Sequence, residues 1–386
     1  MLGFLAGCLG ERQFPAPPSD RYTLAKIPGF PNARFWGDVP PPRAAEELAL
    51  LSQQIGQRIR DEGKQPNGGR IDILVLSGGG SDGAYGAGLL NGWTARGDRP
   101  EFGLVTGIST GALIAPYAFV GKRFDPELER FYTNTKTEDV LVLTLFKTLT
   151  GQALGLADNA GFVAAVDQGL TPQLIRDIAA EHRKGRRLWV GTTNLDAQRP
   201  VIWNISAIAA TGRPEARELI RDVLVASASI PGAFSPQLIE VEIDGQRFTE
   251  MHVDGGVSRQ LFLYPIELDL GEYTDRGPNQ MRPGTIYVIR NTLLDPTYEG
   301  VPPRVLEITA RSVSTLIKYS GVADVEIIRA QALDDGFGLK LTAVPPEFTA
   351  KETELFDPAY MRALYDVGYG LMVDGNPWTE AVPRVP

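Results

Sequence analysis

A chain of 386 residues exceeds a minimal domain, and with 43% hydrophobic and 22% charged residues it has a globular rather than a disordered or collagen-like composition. Lys and Arg (38) are outnumbered by Asp and Glu (47), and the net charge of −9 argues against broad nucleic-acid binding, which needs a basic face. One cysteine and two histidines exclude a disulfide framework and a Cys/His zinc cluster, and no apolar run approaches the roughly 20 residues of a membrane-spanning helix.

Near the start, Leu5-Ala6-Gly7-Cys8 places the sole cysteine where a bacterial lipobox requires it. That reading predicts a lipid anchor at Cys8 and a cell-envelope location. The alternative is a chance terminus on a cytoplasmic or secreted protein, since the residues before Cys8 lack a charged region and a full apolar stretch. Residues 11–43 are proline-rich, from Phe14-Pro15-Ala16-Pro17-Pro18 to Val39-Pro40-Pro41-Pro42, and read as an extended arm. The division expected is an arm over 1–43 and one domain over 44–386.

Leu48, Leu51, Ile55 and Ile59 recur three or four apart, which predicts an amphipathic helix from Ala44 to Glu62. Ile71–Leu76 is a short apolar run followed by Gly78-Gly79-Gly80 and a helical stretch from Gly83 to about Ala95. A second run, Phe102–Thr106, breaks at Gly107 and leads into a helix over Ala112–Phe119. Strand, turn and helix twice in succession predict an α/β architecture with a largely parallel sheet. Further strands are expected at Leu188–Thr193, Pro200–Ile205, Leu238–Ile243, Arg247–Glu250, Thr285–Ile289 and Leu339–Val344, with a hairpin at Asp244-Gly245. Further helices are expected at Pro126–Tyr132, Pro172–Glu181, Glu215–Ser227, Arg304–Leu333 and Pro358–Met372. The apolar window Asp139–Phe146, with Leu149, Leu154 and Leu156, reads as a buried element, or alternatively as a lipid-contacting lid. The apolar spacing over Val305–Leu333 reads as packing.

Gly107-Ile108-Ser109-Thr110-Gly111 fits the G-x-S-x-G nucleophile elbow in the strand-to-helix context that motif demands. The helix start beyond Ser109 supplies unpaired N–H groups that favour developing negative charge. Gly78-Gly79-Gly80-Ser81-Asp82-Gly83 exposes successive amides that can cradle an anion. It also matches G-x-G-x-x-G, but a dinucleotide site expects an acid at the end of the next strand, and that strand here runs into the serine elbow. An oxyanion hole of Gly78, Gly79 and Gly80 fits better. No Gly-Lys-Ser/Thr follows, which excludes a P-loop. Of the two histidines, His182 lies in the charge run Glu181–Arg187, read as solvated. His252 stands two residues before Asp254 in His252-Val253-Asp254-Gly255-Gly256. Either His252 is the base of a Ser-His-Asp triad, or Asp254 itself contacts Ser109 as a dyad.

These segments together resemble the patatin-like phospholipases, lipid acyl hydrolases with a Ser-Asp dyad. Gly78-Gly79-Gly80 with Gly83 is similar to the family's oxyanion loop, Gly107–Gly111 to its elbow, and Asp254-Gly255-Gly256 to its dyad motif. Ala226-Ser227-Ala228-Ser229-Ile230-Pro231 with Phe234 and Pro236 is similar to the family's block near the site, and Thr193-Asn194-Leu195-Asp196 to its strand-turn-strand. The ordered set spans about residues 70–265. The resemblance implies a three-layer α/β/α fold with a central, mostly parallel sheet, with Ser109 as nucleophile, Asp254 as base and His252 as a structural neighbour. Gly107, Gly111, Gly255 and Gly256 would support them. It further implies a lipid or other acyl-ester substrate, peripheral membrane association, and no metal or organic cofactor. Asp82 departs from the Arg or Lys the family often has before the last glycine of the loop, which leaves neutral esters open as substrates. Two other classes stay open: a nucleotide-binding module using Gly78–Gly83, and a catalytically silent lipid-binding scaffold.

Overall fold

The computed structural model describes residues 12–140, 142–143, 157–265 and 282–380. The lipobox-like Leu5–Cys8, and most of the apolar window after Val140, lie outside the described residues. Within that window Val142–Leu143 pairs antiparallel with Ala157–Asp158.

Among the described residues the main sheet has nine strands: β1 (Arg34–Trp36), β2 (Arg70–Leu76), β3 (Phe102–Ile108), β4 (Arg187–Asn194), β5 (Arg199–Asn204), β6 (Gln237–Ile243), β7 (Gln246–Asp254), β8 (Arg282–Arg290) and β9 (Gly338–Ala343). Their order is β1-β5-β4-β3-β2-β8-β9, with β7 paired to both β4 and β6. The pairings from β4 through β9 by way of β3, β2 and β8 are parallel, whereas β1, β5, β6 and β7 join antiparallel. The hairpin turns at Asp244 (φ +51°) and Gly245 (φ +78°), the two left-handed positions a tight hairpin needs.

Strand alternation builds the layers. Along β2, Leu74 and Leu76 enter one apolar cluster while Ile73 and Val75 enter another on the opposite face. The first cluster is covered by α2 (Gly83–Arg96), α3 (Thr110–Val120), α4 (Asp125–Asn134) and, further along the chain, by α5 (Ala160–Gly169), α6 (Pro172–Arg183), α7 (Ile205–Ala210), α8 (Ala216–Ser227) and α10 (Pro358–Asp374). The second is covered by α9 (Val305–Asp334) and by α1 (Ala44–Glu62), which supplies Leu48. Helix, sheet and helix thus stack as a three-layer α/β/α fold.

Three expectations are changed by tertiary contacts. Residues 12–43 are docked on the domain: β1 pairs with β5, and Ile27, Phe30 and Ala33 are buried in the larger cluster. The run Glu181–Arg187 is not a solvated face, because Arg186 and Arg187 are buried, Arg186 donating to the Phe102 carbonyl and Arg187 pairing with Glu47. Finally, α9 packs only from Gly321 onward, where Val325, Ile328 and Ala332 are buried. None of its described side chains before that point is buried.

Candidate active site

Strand β3 runs alongside β4 only as far as Ile108, opposite Gly191. The chain then turns sharply at Ser109 (φ +54°, ψ −125°) into α3. A serine in this region of backbone space is strained, typically by about 1–3 kcal/mol, and its surroundings hold it there. Neither flanking glycine tolerates a side chain: a Cβ on Gly107 would strike the Gly111 carbonyl, and one on Gly111 the Leu76 carbonyl. The Ser109 amide donates to the Ser227 hydroxyl (3.0 Å), which in turn donates to the Gly191 carbonyl (2.7 Å). Ser227, at the end of α8, therefore pins the elbow to β4.

The β4 edge that β3 leaves free is taken over by the end of β7, with Thr192, Thr193 and Asn194 opposite Asp254, Val253 and His252. This splice sets Asp254 beside Ser109. The Asp254 amide donates to the Ser229 carbonyl (3.0 Å), and one carboxylate oxygen accepts from the Gly256 amide (2.7 Å). Gly255 and Gly256 form the tight turn Gly255–Val257 that aims that amide. Burial pushes the Asp254 carboxyl up to about 6, although hydrogen bonds from Ser109 and Gly256 act to lower it. Ser109 and Asp254 are each only 5% exposed, so the pair is screened little by solvent.

The glycine loop faces the same spot. A Cβ on Gly78 would sit 3.2 Å from the Ser109 Cβ, so the loop packs directly against the serine. Gly79 (φ +155°) and Gly80 (φ +58°) adopt conformations that favour glycine. The Gly78 amide donates to the Gln260 carbonyl (3.4 Å), while the amides of Gly79 and Gly80 have no partner among the described residues. Gly83 opens α2 immediately behind the loop.

Two side chains absent from the sequence reading fix this loop. Asn291, fully buried just past β8, donates from Nδ2 to the Ser77 carbonyl (2.9 Å) and from its amide to the Ser77 hydroxyl (2.8 Å). Its Oδ1 accepts from the Gly86 amide (3.1 Å). Gln260 donates from Nε2 to the Gly256 carbonyl (2.8 Å) and so ties the turn after Asp254 to the loop. The Gln260 and Leu261 amides are held in turn by Asp324 of α9 (2.7 and 3.1 Å). The only sequence signal was positional: Asn291 is a polar residue directly after a buried strand, at the end of the sheet where the elbow sits.

The remaining candidates lie outside this contact. Both ring nitrogens of His252 are engaged, Nδ1 with the Thr192 hydroxyl (2.9 Å) and Nε2 with Glu250 (3.0 Å). Burial lowers the His252 pKa despite Glu250. Burial would raise the Glu250 carboxyl, but Arg34, followed by His252, outweighs it and holds it at about 2. His252, on β7 itself, is thus held in a buried network with Thr192 and Glu250, and no hydrogen bond joins it to Ser109 among the described residues. His182 is buried against the Ser206 hydroxyl (3.1 Å), and burial lowers its pKa to about 3. Asp82 accepts from the Tyr360 hydroxyl (2.6 Å), and burial raises its carboxyl to about 6. No group of three or more His, Cys, Asp or Glu that could hold a metal occurs among the described residues.

Among solved structures, the chain resembles VipD from Legionella pneumophila, with 11% identity and a TM-score of 0.36 over 79% of this chain and 67% of that one. It also resembles ExoU from the type III secretion system of Pseudomonas aeruginosa, solved with SpcU, with 14% identity and a TM-score of 0.29 over 81% of this chain. The match spans about half of the ExoU chain (52%). No curated protein matches. The patatin family model, described as patatin-like phospholipase, matches residues 74–266, which is half of the sequence. The chain belongs to the patatin-like phospholipase family and is a lipid ester hydrolase.

Proposed function

We propose that the protein cleaves lipid acyl esters through a Ser109–Asp254 dyad, with the glycine loop as its oxyanion hole. The observation that carries this reading is the hydrogen bond between Ser109 and a buried carboxyl whose pKa is pushed up to about 6, beside the Gly79 and Gly80 amides, which have no partner among the described residues. At neutral pH the Asp254 carboxylate accepts the Ser109 proton as the hydroxyl oxygen bonds to the ester carbonyl carbon. Negative charge gathering on the carbonyl oxygen meets the Gly79 and Gly80 amides and the start of α3. Losing one such donor typically costs about 3 kcal/mol in barrier. The now neutral Asp254 returns the proton to the departing alkoxide, and water releases the acyl group by the reverse sequence. Esters suit this pair better than amides, whose nitrogen needs a stronger proton donor to leave.

Turnover of p-nitrophenyl butyrate and labelling by a fluorophosphonate test the reading together. Ser109→Ala and Asp254→Asn should lose turnover, while folded His252→Ala should retain labelling. Turnover by folded Asp254→Asn, with His252→Ala dead, would replace the dyad with a triad. NAD(P) binding by Ser109→Ala without any labelling of the parent would favour the nucleotide-binding alternative.

A further inference from the structure

The placement of α9 carries an inference beyond the catalytic pair. Its lower half is anchored: Asp324 holds the amides of Gln260 and Leu261, and Arg290, the last residue of β8, donates to the Lys318 carbonyl (3.2 Å). Beyond the helix's end, Gly338 pairs with Thr285, early in β8. The helix therefore runs antiparallel to β8, and its first half projects past the end of the sheet where β8 finishes. Strands β8, β2 and β3 are parallel, so Ser109 follows β3 at that same end. From Gly321 to Val305 the projection is about 24 Å at 1.5 Å per residue.

Among the described residues, the large apolar side chains of this projecting half are exposed. Val305 (79% exposed), Ile308, Val313, Leu316 (71%), Ile317 and Tyr319 spread over about half of its circumference at 100° per residue. The remaining face carries Arg304, Glu307, Arg311 and Lys318, with Arg304 paired to Glu307 (3.4 Å). Arg311 pairs with Glu299, and Lys318 contacts the Asp295 carbonyl in the segment leading into the helix. In that segment Tyr298 is fully exposed. A protein partner packs against a stripe, whereas a bilayer surface can take up an apolar arc this wide on a projecting rod whose polar face is largely charge-paired. Aromatic side chains such as Tyr298 and Tyr319 suit the water–lipid boundary.

We infer that residues 305–319 of α9 form an interfacial helix that lies in the surface of a phospholipid bilayer and brings the Ser109 end of the sheet to it. This rests on the lipid hydrolase reading and adds the surface from which substrate is taken. Because the chain carries a net charge of −9, docking is driven by apolar burial rather than by anionic lipid.

Flotation with phosphatidylcholine vesicles tests this with full-length Ser109→Ala, so that lipid is not consumed. The parent should float in both low and high salt. Adding Val313→Glu and Leu316→Glu should lower partitioning by at least about tenfold. Leu333→Glu, at the far end of the same helix, should leave it unchanged. With Ser109 intact, the double variant should keep its turnover of soluble p-nitrophenyl butyrate. Equal flotation of the parent and the double variant would overturn the inference, as would binding only to anionic vesicles in low salt. A lipid-free dimer that the double variant dissociates, with no vesicle binding by the parent, would reassign the face to self-association. Absence of soluble-ester turnover would count against the dyad alone, since flotation does not require chemistry.

Discussion

Replacing Asp254 with asparagine should abolish activity and yet stabilise the fold. The Asp254 carboxyl is only 5% exposed, and burial lifts its pKa from 3.8 to about 6. Below pH 3.8 it is protonated in both the folded and the unfolded chain and costs nothing. Between 3.8 and about 6 the folded chain binds more protons than the unfolded one, so stability falls as pH rises. Above about 6 the full penalty applies. A shift of about two units corresponds to about 3 kcal/mol. Asparagine is never ionised there, and its Oδ1 can still accept from the Gly256 amide. Asp254→Asn should therefore gain up to about 3 kcal/mol over the parent at pH 7.5 and almost nothing near pH 3.8, measured by urea denaturation at the two pH values. In the parent, kcat/KM for p-nitrophenyl butyrate should rise with pH through a midpoint near 6. Asp82 titrates in the same range, but Asp82→Asn should leave that midpoint in place. A variant less stable than the parent at pH 7.5, or a gain that does not change with pH, would refute the argument.

Three further outcomes follow from the contacts around the pair. Ser227→Ala strands the Ser109 amide and the Gly191 carbonyl at a fully buried position, so thermal or chemical denaturation should show a loss of about 1–3 kcal/mol, with slower fluorophosphonate labelling. Asn291→Ala removes the two side-chain hydrogen bonds holding the glycine loop and should lower kcat about 10- to 100-fold with little change in KM, as steady-state kinetics on a soluble ester can read. Because Ser109 sits at φ +54°, Ser109→Gly should be about 1 kcal/mol more stable than Ser109→Ala in urea denaturation, both being inactive.

Local signals carried the parts of this architecture that depend on local physics. The apolar runs of β2 and β3, each closed by glycine, announced two strand–turn–helix units. Asp244-Gly245 announced its hairpin, because two left-handed residues in succession leave the chain few other uses. The pairing of Ser109 with Asp254 depends on distant parts of the chain and was reached through the family resemblance, not through spacing. Asn291 and Gln260 escaped because nothing in their neighbours reveals that a glycine loop from elsewhere will close over them. His182 and Arg187 looked solvated because charge density in sequence does not say whether Glu47 or Ser206 will meet those groups. The helix from Val305 erred the other way: helical spacing of apolar residues shows that a face exists but not that anything covers it.

The shared edge of β4 has a consequence for how the enzyme comes into being. One neighbour leads into Ser109 and then departs, and a hairpin synthesised much later fills the vacancy with Asp254. A nascent chain can shape the serine turn early, but the proposed dyad is incomplete until that ladder docks, and such distant closures are the slow ones. On that proposal hydrolytic competence is withheld from incomplete polypeptides, and covalent capture by a phosphonate becomes a clock for the docking of β7.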